Sequence, residues 1–415
     1  MPNTSKTSGG VAALLAALTI QFTLGIAYLW SLFQSGIAER IYAEYAKPNA
    51  AAGLNFSLLI AMMTVGSVIG GKLAAKYSTK KVVFAGGLIL GAGFFLSGLV
   101  TAQVSWLLWL TYGIMGGLGM GFTYSTTIAC AQKWFPHKRG FVTGIVVSGL
   151  GFGGVIFTPV IKALIERFGG ASVGESSTFM VLGGIFAAVC IAGSLFLKEA
   201  PAPAPTSAVS AGAPSSDFTT SQMLKSPAFY LIAFAFLLAC LGGLIVINYT
   251  KQIAEMKGLA ETAVVGVMII SIFNSVGRLV WGMVSDKLGR INTILVLLVG
   301  SATLTLFVPS INNWLVYAVI AGIGFMYGGL LSTFPALTSE VFGAKHMATN
   351  YGFVLLGFGV GAIIASQVGG YFRDAAVNAD GDMGKMFPAF IIGSCCAVGA
   401  IVLIVVLRIM TKKKA

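Results

Sequence analysis

Arg278 stands inside an otherwise apolar stretch, IISIFNSVGRLVWGMVSD, that runs from residue 269 to 286. A guanidinium is permanently charged, and its planar fork pairs with a carboxylate through two parallel hydrogen bonds. Placing it in a hydrocarbon span costs at least about 2.5 kcal/mol on insertion scales, which argues for a use. Ser271, Asn274, Ser275 and Arg278 follow the i, i+3, i+4, i+7 spacing of one helix face, a polar stripe suited to a water-filled cavity. That stripe argues against the alternative, in which the long side chain reaches past Asp286 to the headgroups. Glu340 and Asp286 are the acids the apolar runs contain, both near run ends, so the sequence offers Arg278 no counterion at its depth. The implied chemistry is binding of a small anion with one negative charge, a monocarboxylate such as lactate, pyruvate, acetate or formate.

Tyrosines can complete such a pocket, because a buried phenol supplies an apolar wall and a hydrogen-bonding tip. Tyr28 shares a helix face with Gln21 and Gly25, Tyr124 lies in the later half of its run, and Tyr327 is central in its own. Each serves equally well as a packing residue, and the two readings stay open at this point. Asn248 and Tyr249, near the end of another run, are expected at an outer gate. Chemistry of other kinds finds little support. His137 and His346 fall between apolar runs, no cluster of nucleophile, base and acid is visible, and no phosphate-binding glycine loop occurs. Five cysteines lie in or at apolar runs without metal-ligand spacing and read as small buried hydrophobes. No enzyme, cofactor or metal site is expected.

The elements that must position these residues follow from composition. Of 415 residues, 57% are hydrophobic and 9% charged, against about a quarter charged in soluble domains. Mean hydropathy is +0.90. Runs of about twenty apolar residues cross a bilayer as helices. Twelve are expected, near 11–33, 54–75, 81–101, 105–131, 139–163, 178–197, 227–250, 261–284, 291–310, 313–339, 346–370 and 386–408. The first is about twice as long as a signal-peptide core and is expected to be a retained helix. The net charge of +13 raises the possibility of a nucleic-acid partner, but its distribution is that of the positive-inside rule. Loops on one side, notably Lys72, Lys76, Lys80 and Lys81, hold most of the bases and few acids (Glu199, Asp217, Asp286, Glu340). Both termini are therefore expected in the cytoplasm of a multi-pass protein of the inner (plasma) membrane.

The stretch KEAPAPAPTSAVSAGAPSSDFTTSQMLKSP has the composition of a flexible linker. It divides the chain into six-helix bundles at 1–197 and 227–415, joined by a cytoplasmic linker at 198–226. The bundles look duplicated. WFPHKRG at 134–140 precedes VFGAKHM at 341–347 by 207 positions, and GKLAAK at 71–76 precedes GMVSDK at 282–287 by 211. A duplicated six-helix unit implies substrate held between the halves near mid-membrane. Gly113, Gly117, Gly121 and Ser125 recur every fourth residue as a smooth ridge, for tight static packing or for sliding.

These motifs carry a resemblance. GMVSDKLGRI, with Gly282, Asp286, Lys287, Gly289 and Arg290, resembles the loop motif of the major facilitator superfamily, which locks helix ends together. Its first-half counterpart GKLAAKYSTKK departs from it, with Ala75 for the acid and Ser78 for the second glycine. WFPHKRGFVTGIVVSGLGFGG, IFNSVGRLVWG and NYGFVLLGFGVG resemble the monocarboxylate transporter and oxalate:formate antiporter branch, along the whole chain. The resemblance implies an all-α, twelve-helix secondary transporter of small organic anions with two pseudo-symmetric bundles. It places Arg278 on the substrate carboxylate and the aromatics Tyr28, Tyr124 and Tyr327 around it. Two departures narrow the substrate. Phe358 stands where the oxalate:formate antiporters carry a second cation, and Asn274 where the animal monocarboxylate transporters carry an aspartate. The expectation is proton-coupled symport of monocarboxylates by a monomer in the bilayer, bound through Arg278, Asn274, Ser271 and the three tyrosines. Anion exchange is the alternative, and a non-transporting sensor or a channel the alternative of another class.

Overall fold

The computed structural model describes residues 4–46, 48–201, 217–379 and 381–412. Regular structure among the described residues is helical throughout, as it must be where no water is present to satisfy backbone groups. The first span joins α1 (Thr4–Leu24) and α2 (Ser31–Arg40), followed by α3 (Pro48–Lys76) and α4 (Thr79–Ser97). A π-helical stretch, Trp109–Gly116, runs directly into α5 (Gly117–Trp134), and α6 (Arg139–Arg167) and α7 (Gly174–Phe196) complete six spans. A short α8 (Thr220–Leu224) precedes α9 (Pro227–Met256), α10 (Ala263–Leu288), α11 (Arg290–Phe307), α12 (Leu315–Phe342), α13 (Met347–Val377) and α14 (Phe387–Lys412). Among the described residues, eleven helices are long and apolar enough to cross a membrane. The fourth span is the twelfth: its register changes from π to α at Gly116–Gly117, leaving an eight-residue π piece and an α5 of 18 residues whose own sequence, GLGMGFTYSTTIACAQKW, is too polar to qualify alone.

The chain forms two compact units. The first holds Met1–Pro136, Gly149–Pro201 and His346–Phe353, and the second His137–Ser148, Ala202–Lys345 and Val354–Ala415. The opening turns of α6 thus belong to the second unit, and those of α13 to the first. Most of the expected linker, 202–216, lies outside the described residues. Its end is ordered by a capping box, in which Thr219 Oγ1 accepts from Gln222 N and Gln222 Oε1 accepts from Thr219 N at 2.8 Å.

In the first unit, the first span is discontinuous. A 3-10 turn over Gly25–Tyr28 separates α1 from α2, where Gly25 lies against the backbone of Gly153 and Gly154 on α6. A Cβ at Gly25 would stand 2.6 Å from Gly154 N, so only glycine permits that approach. The small-residue ridge of the fourth span faces α3. A Cβ at Gly117 would stand 2.5 Å from Leu59 O. Ser125 Oγ donates to Ser67 O (3.2 Å) and Ser67 Oγ to Gly121 O (3.3 Å), so the ridge is a hydrogen-bonded seam.

In the second unit, α9 departs from helical geometry at Tyr249 (φ −116°, ψ 17°). Glycines 357 and 361 of α13 lie against the Ala233 and Leu237 carbonyls of α9. Cys130, Cys190 and Cys240 are buried as expected. Cys395 is exposed, because the outward face of α14 has no protein neighbour to cover it.

Candidate functional site

Arg278 is the largest fully buried side chain among the described residues, 1% exposed. Three helices of the second unit meet around it because two of them lack side chains at the contact. A Cβ at Gly144 of α6 would stand 2.5 Å from Arg278 O, and one at Gly328 of α12 would stand 3.0 Å from Arg278 N. This approach brings backbone carbonyls within reach of the guanidinium. Arg278 Nη1 donates to Val147 O on α6 at 2.7 Å, and Nε donates to Asn274 Oδ1, one turn back on α10, at 2.8 Å. Both acceptors are neutral. They fix the plane and direction of the fork, the preorganisation that carboxylate recognition needs.

The rest of the stripe behaves differently. Ser275 Oγ donates to Ser271 O (2.9 Å) and Ser271 Oγ to Val267 O (2.8 Å), so both hydroxyls turn onto their own helix. Tyr327, fully buried on α12 beside Gly328, lays its ring on α9, where a Cβ at Gly243 would stand 2.6 Å from Tyr327 Cδ2. Phe358 joins an aromatic stack, 5.7 Å from Phe236, whose ring lies 4.3 Å from Phe334 at 16°. The surroundings of Phe358 on that side are therefore apolar.

Tyr124 belongs to the first unit. It is 3% exposed, and its ring lies 6.3 Å from that of Tyr351. Gln21 Nε2, fully buried on α1, donates to Tyr124 O (3.3 Å) and to Thr127 Oγ1 (3.0 Å). Gln21 Oε1 has no hydrogen-bond partner among the described residues. Tyr28 ends the 3-10 turn, and its side chain lies outside the described residues.

The expected gate residues sit where α9 bends. Asn248 precedes the bend, and Tyr249 Oη donates to Ser366 O on α13 at 2.9 Å while its ring fills the notch left by Gly369. Arg373 lies over that ring, 6.0 Å from its centre.

The loop motif acts as a cap. Asp286 accepts from Gly140 N (3.0 Å) and Phe141 N (2.8 Å), satisfying two donors at the start of α6, and Arg290 Nη2 pairs with it at 2.5 Å. Arg290 Nε approaches Glu340 at 3.4 Å, and Arg139 Nη1 donates to Ser339 O at 3.0 Å. Gly282 closes on Gly140, Gly289 turns the chain at φ +86°, and Lys287 is exposed. In the first-half copy Ser78, at the place of Gly289, is extended (φ 167°) and caps α4 by accepting from Lys81 N. Gly71 still closes on Thr349 at the start of α13, but Ala75 offers no carboxylate there.

The spans hold acids beyond the expected Glu340 and Asp286: Glu166, Glu175 and Glu255 also fall within them, and of these three Glu175 is the buried one. The sixth span begins at Gly174 rather than 178 and so includes Glu175, which is 1% exposed. Glu175 Oε1 accepts from Ser172 N at 2.9 Å, and Oε2 has no hydrogen-bond partner among the described residues. A Cβ at Gly36 of α2 would collide with this carboxylate. Arg40, one turn on, donates to Ser176 Oγ through Nη2. Its Nε is buried without a partner among the described residues. The missed signal is an acid in a helix's first turn, placed there by the macrodipole and therefore inside the helix before hydropathy rises.

Comparison with known proteins agrees with this architecture. The Major Facilitator Superfamily profile matches residues 10–366. The chain is 36% identical over 358 residues to the uncharacterized MFS-type transporter YhjX of Escherichia coli (strain K12), covering 84% of this chain and 85% of the relative. It is 28% identical to the oxalate:formate antiporter of Oxalobacter formigenes (86% and 84% covered). It is 27% identical to monocarboxylate transporter 12-B of Danio rerio (75% and 69% covered). The crystal structure of the transporter FucP in the outward conformation shares the fold, with a TM-score of 0.71 at 14% identity, covering 96% of this chain and 99% of that one. The chain is thus similar to monocarboxylate and oxalate:formate carriers and belongs to the Major Facilitator Superfamily, as a multi-pass transporter of the plasma membrane and not an enzyme.

Proposed function

We propose that this transporter carries small monocarboxylates of the lactate, pyruvate and acetate class, coupled to protons, with Arg278 holding the substrate carboxylate. The observation that carries the reading is a guanidinium 1% exposed in a membrane-spanning helix, aimed by two neutral carbonyl oxygens. A guanidinium inside a membrane span is costly, which argues for a use, and its fork matches a carboxylate. The aromatic stack around Phe358 favours a ligand with one charge and an apolar remainder over a dianion. The similarity to monocarboxylate transporter 12-B supports the substrate class. For proton coupling, Glu175 offers a buried carboxylate. Tyr327 and Tyr124 are proposed to wall the substrate, Tyr249 and Asn248 to gate it, and the termini to face the cytoplasm of a monomer.

Exchange of organic anions is the second reading, favoured by the similarity to the oxalate:formate antiporter. Purified protein in liposomes separates the two. Labelled lactate or acetate entering under an inward proton gradient, with empty lumen, supports symport, whereas entry that requires internal counter-substrate supports exchange. Saturable uptake accelerated from the trans side excludes a channel. Arg278→Lys keeps the charge but loses the fork and one or two charge-assisted bonds, so uptake should fall about 10- to 100-fold. Wild-type uptake by that variant would remove Arg278 from the substrate.

A further inference from the structure

α9 and α14 of the second unit touch through glycines and then part. A Cβ at Gly393 would stand 2.7 Å from Gly242 Cα, and one at Gly399 would stand 3.3 Å from Leu238 Cδ1. Toward the start of α9 the helices diverge around a groove of about 620 Å³. One wall is Pro227, Tyr230, Leu231, Phe234 and Leu238, and the other Leu403, Val406 and Met410, each set spaced as a single helix face. Tyr230 and Phe234 are 50% and 55% exposed, so the groove opens outward along the sides of two membrane-spanning helices. One charged side chain, Lys225, stands at its end, where α9 begins.

Length and charge together select an occupant. From Pro227 to Leu238 the groove runs about 16 Å at 1.5 Å per residue, close to half of a hydrocarbon core about 30 Å thick. It is therefore one leaflet deep, apolar along its length and cationic at the headgroup end. At that end the first N–H groups of α9 add the positive pole of a 30-residue helix. We propose that this groove binds an anionic glycerophospholipid of the surrounding leaflet, an acyl chain lying between α9 and α14 and the phosphate on Lys225. The small residues at 242 and 393 create the site, because they let the helices cross closely at one level and splay at the other.

The test uses the full chain in nanodiscs of phosphatidylcholine containing a minor fraction of phosphatidylglycerol or phosphatidylcholine with a photoreactive acyl chain. Phosphatidylglycerol should label peptides carrying Tyr230–Leu238 and Leu403–Met410 about fivefold more than phosphatidylcholine does, the preference one lysine gives near a membrane surface. Lys225→Gln, at an exposed position that leaves packing intact, should reduce labelling to the phosphatidylcholine level. Leu231→Trp, which fills the groove, should remove labelling by both. Equal labelling by the two lipids, a preference that survives Lys225→Gln, or chain-to-chain cross-links through these peptides would overturn the proposal.

Discussion

At the scale of single residues, Asn274 decides how Arg278 points. Its side-chain oxygen accepts a hydrogen bond from Arg278 Nε at 2.8 Å and so orients the guanidinium. Asn274→Asp would place an ionised carboxylate on the same bond. An internal counterion would then compete with substrate. The expected result is a KM raised about tenfold or more at pH 7. An unchanged KM with new proton dependence would show that Asn274 does not orient Arg278. The buried Glu175 is a second single-residue lever. Glu175→Gln keeps an oxygen for Ser172 N but removes the ionisable group. Retained substrate exchange with loss of gradient-driven uptake is expected, and gradient-driven uptake at the wild-type level would exclude Glu175 from coupling.

At the scale of elements, close helix contact and helix capping hold the site in register. Gly117→Ala places a methyl group 2.5 Å from Leu59 O. Alanine's helix propensity favours the variant by about 1 kcal/mol, but overpacking costs about 1 to 3. The steric term wins, and thermal unfolding in detergent should show a lower midpoint. Gly184→Ala in α7, where a Cβ meets nothing within 4 Å, should raise it. The cap on α6 is the electrostatic counterpart. Asp286→Asn leaves one oxygen for two N–H donors and leaves Arg290 without its nearest charge, costing about 2 kcal/mol of stability. The resulting fall in the unfolding midpoint should exceed that of a surface substitution such as Lys287→Gln. The first-half copy has no such cap to lose, since Ala75 stands in the acid's place.

At the scale of the whole molecule, twelve spans and the duplicated motifs were legible in the chain because bilayer thickness sets run length and a buried backbone permits only helices. Arg278 was legible for the same reason, since a charge in an apolar run is costly wherever the helix packs. That Asn274 lies one turn from Arg278 also followed from helical spacing, because residues four apart share a face. Interruptions within a span were not legible. Hydropathy is nearly blind to hydrogen-bond register, so the break at Gly25–Tyr28, the π stretch before Gly117 and the bend at Tyr249 read as continuous helix. Likewise Ser271 and Ser275 lie on the predicted face, yet a hydroxyl can always bond its own helix one turn back. The sequence alone therefore determined the fold class, the span count and the position of the charge, which depend on transfer from water to lipid and on local geometry. Tertiary structure decided which carbonyls aim that charge, that Asp286 caps α6, and that Glu175 is buried. Val147 with Arg278, Gly140 with Asp286 and Gly36 with Glu175 are contacts between residues far apart in the chain, made where glycine lets two elements meet.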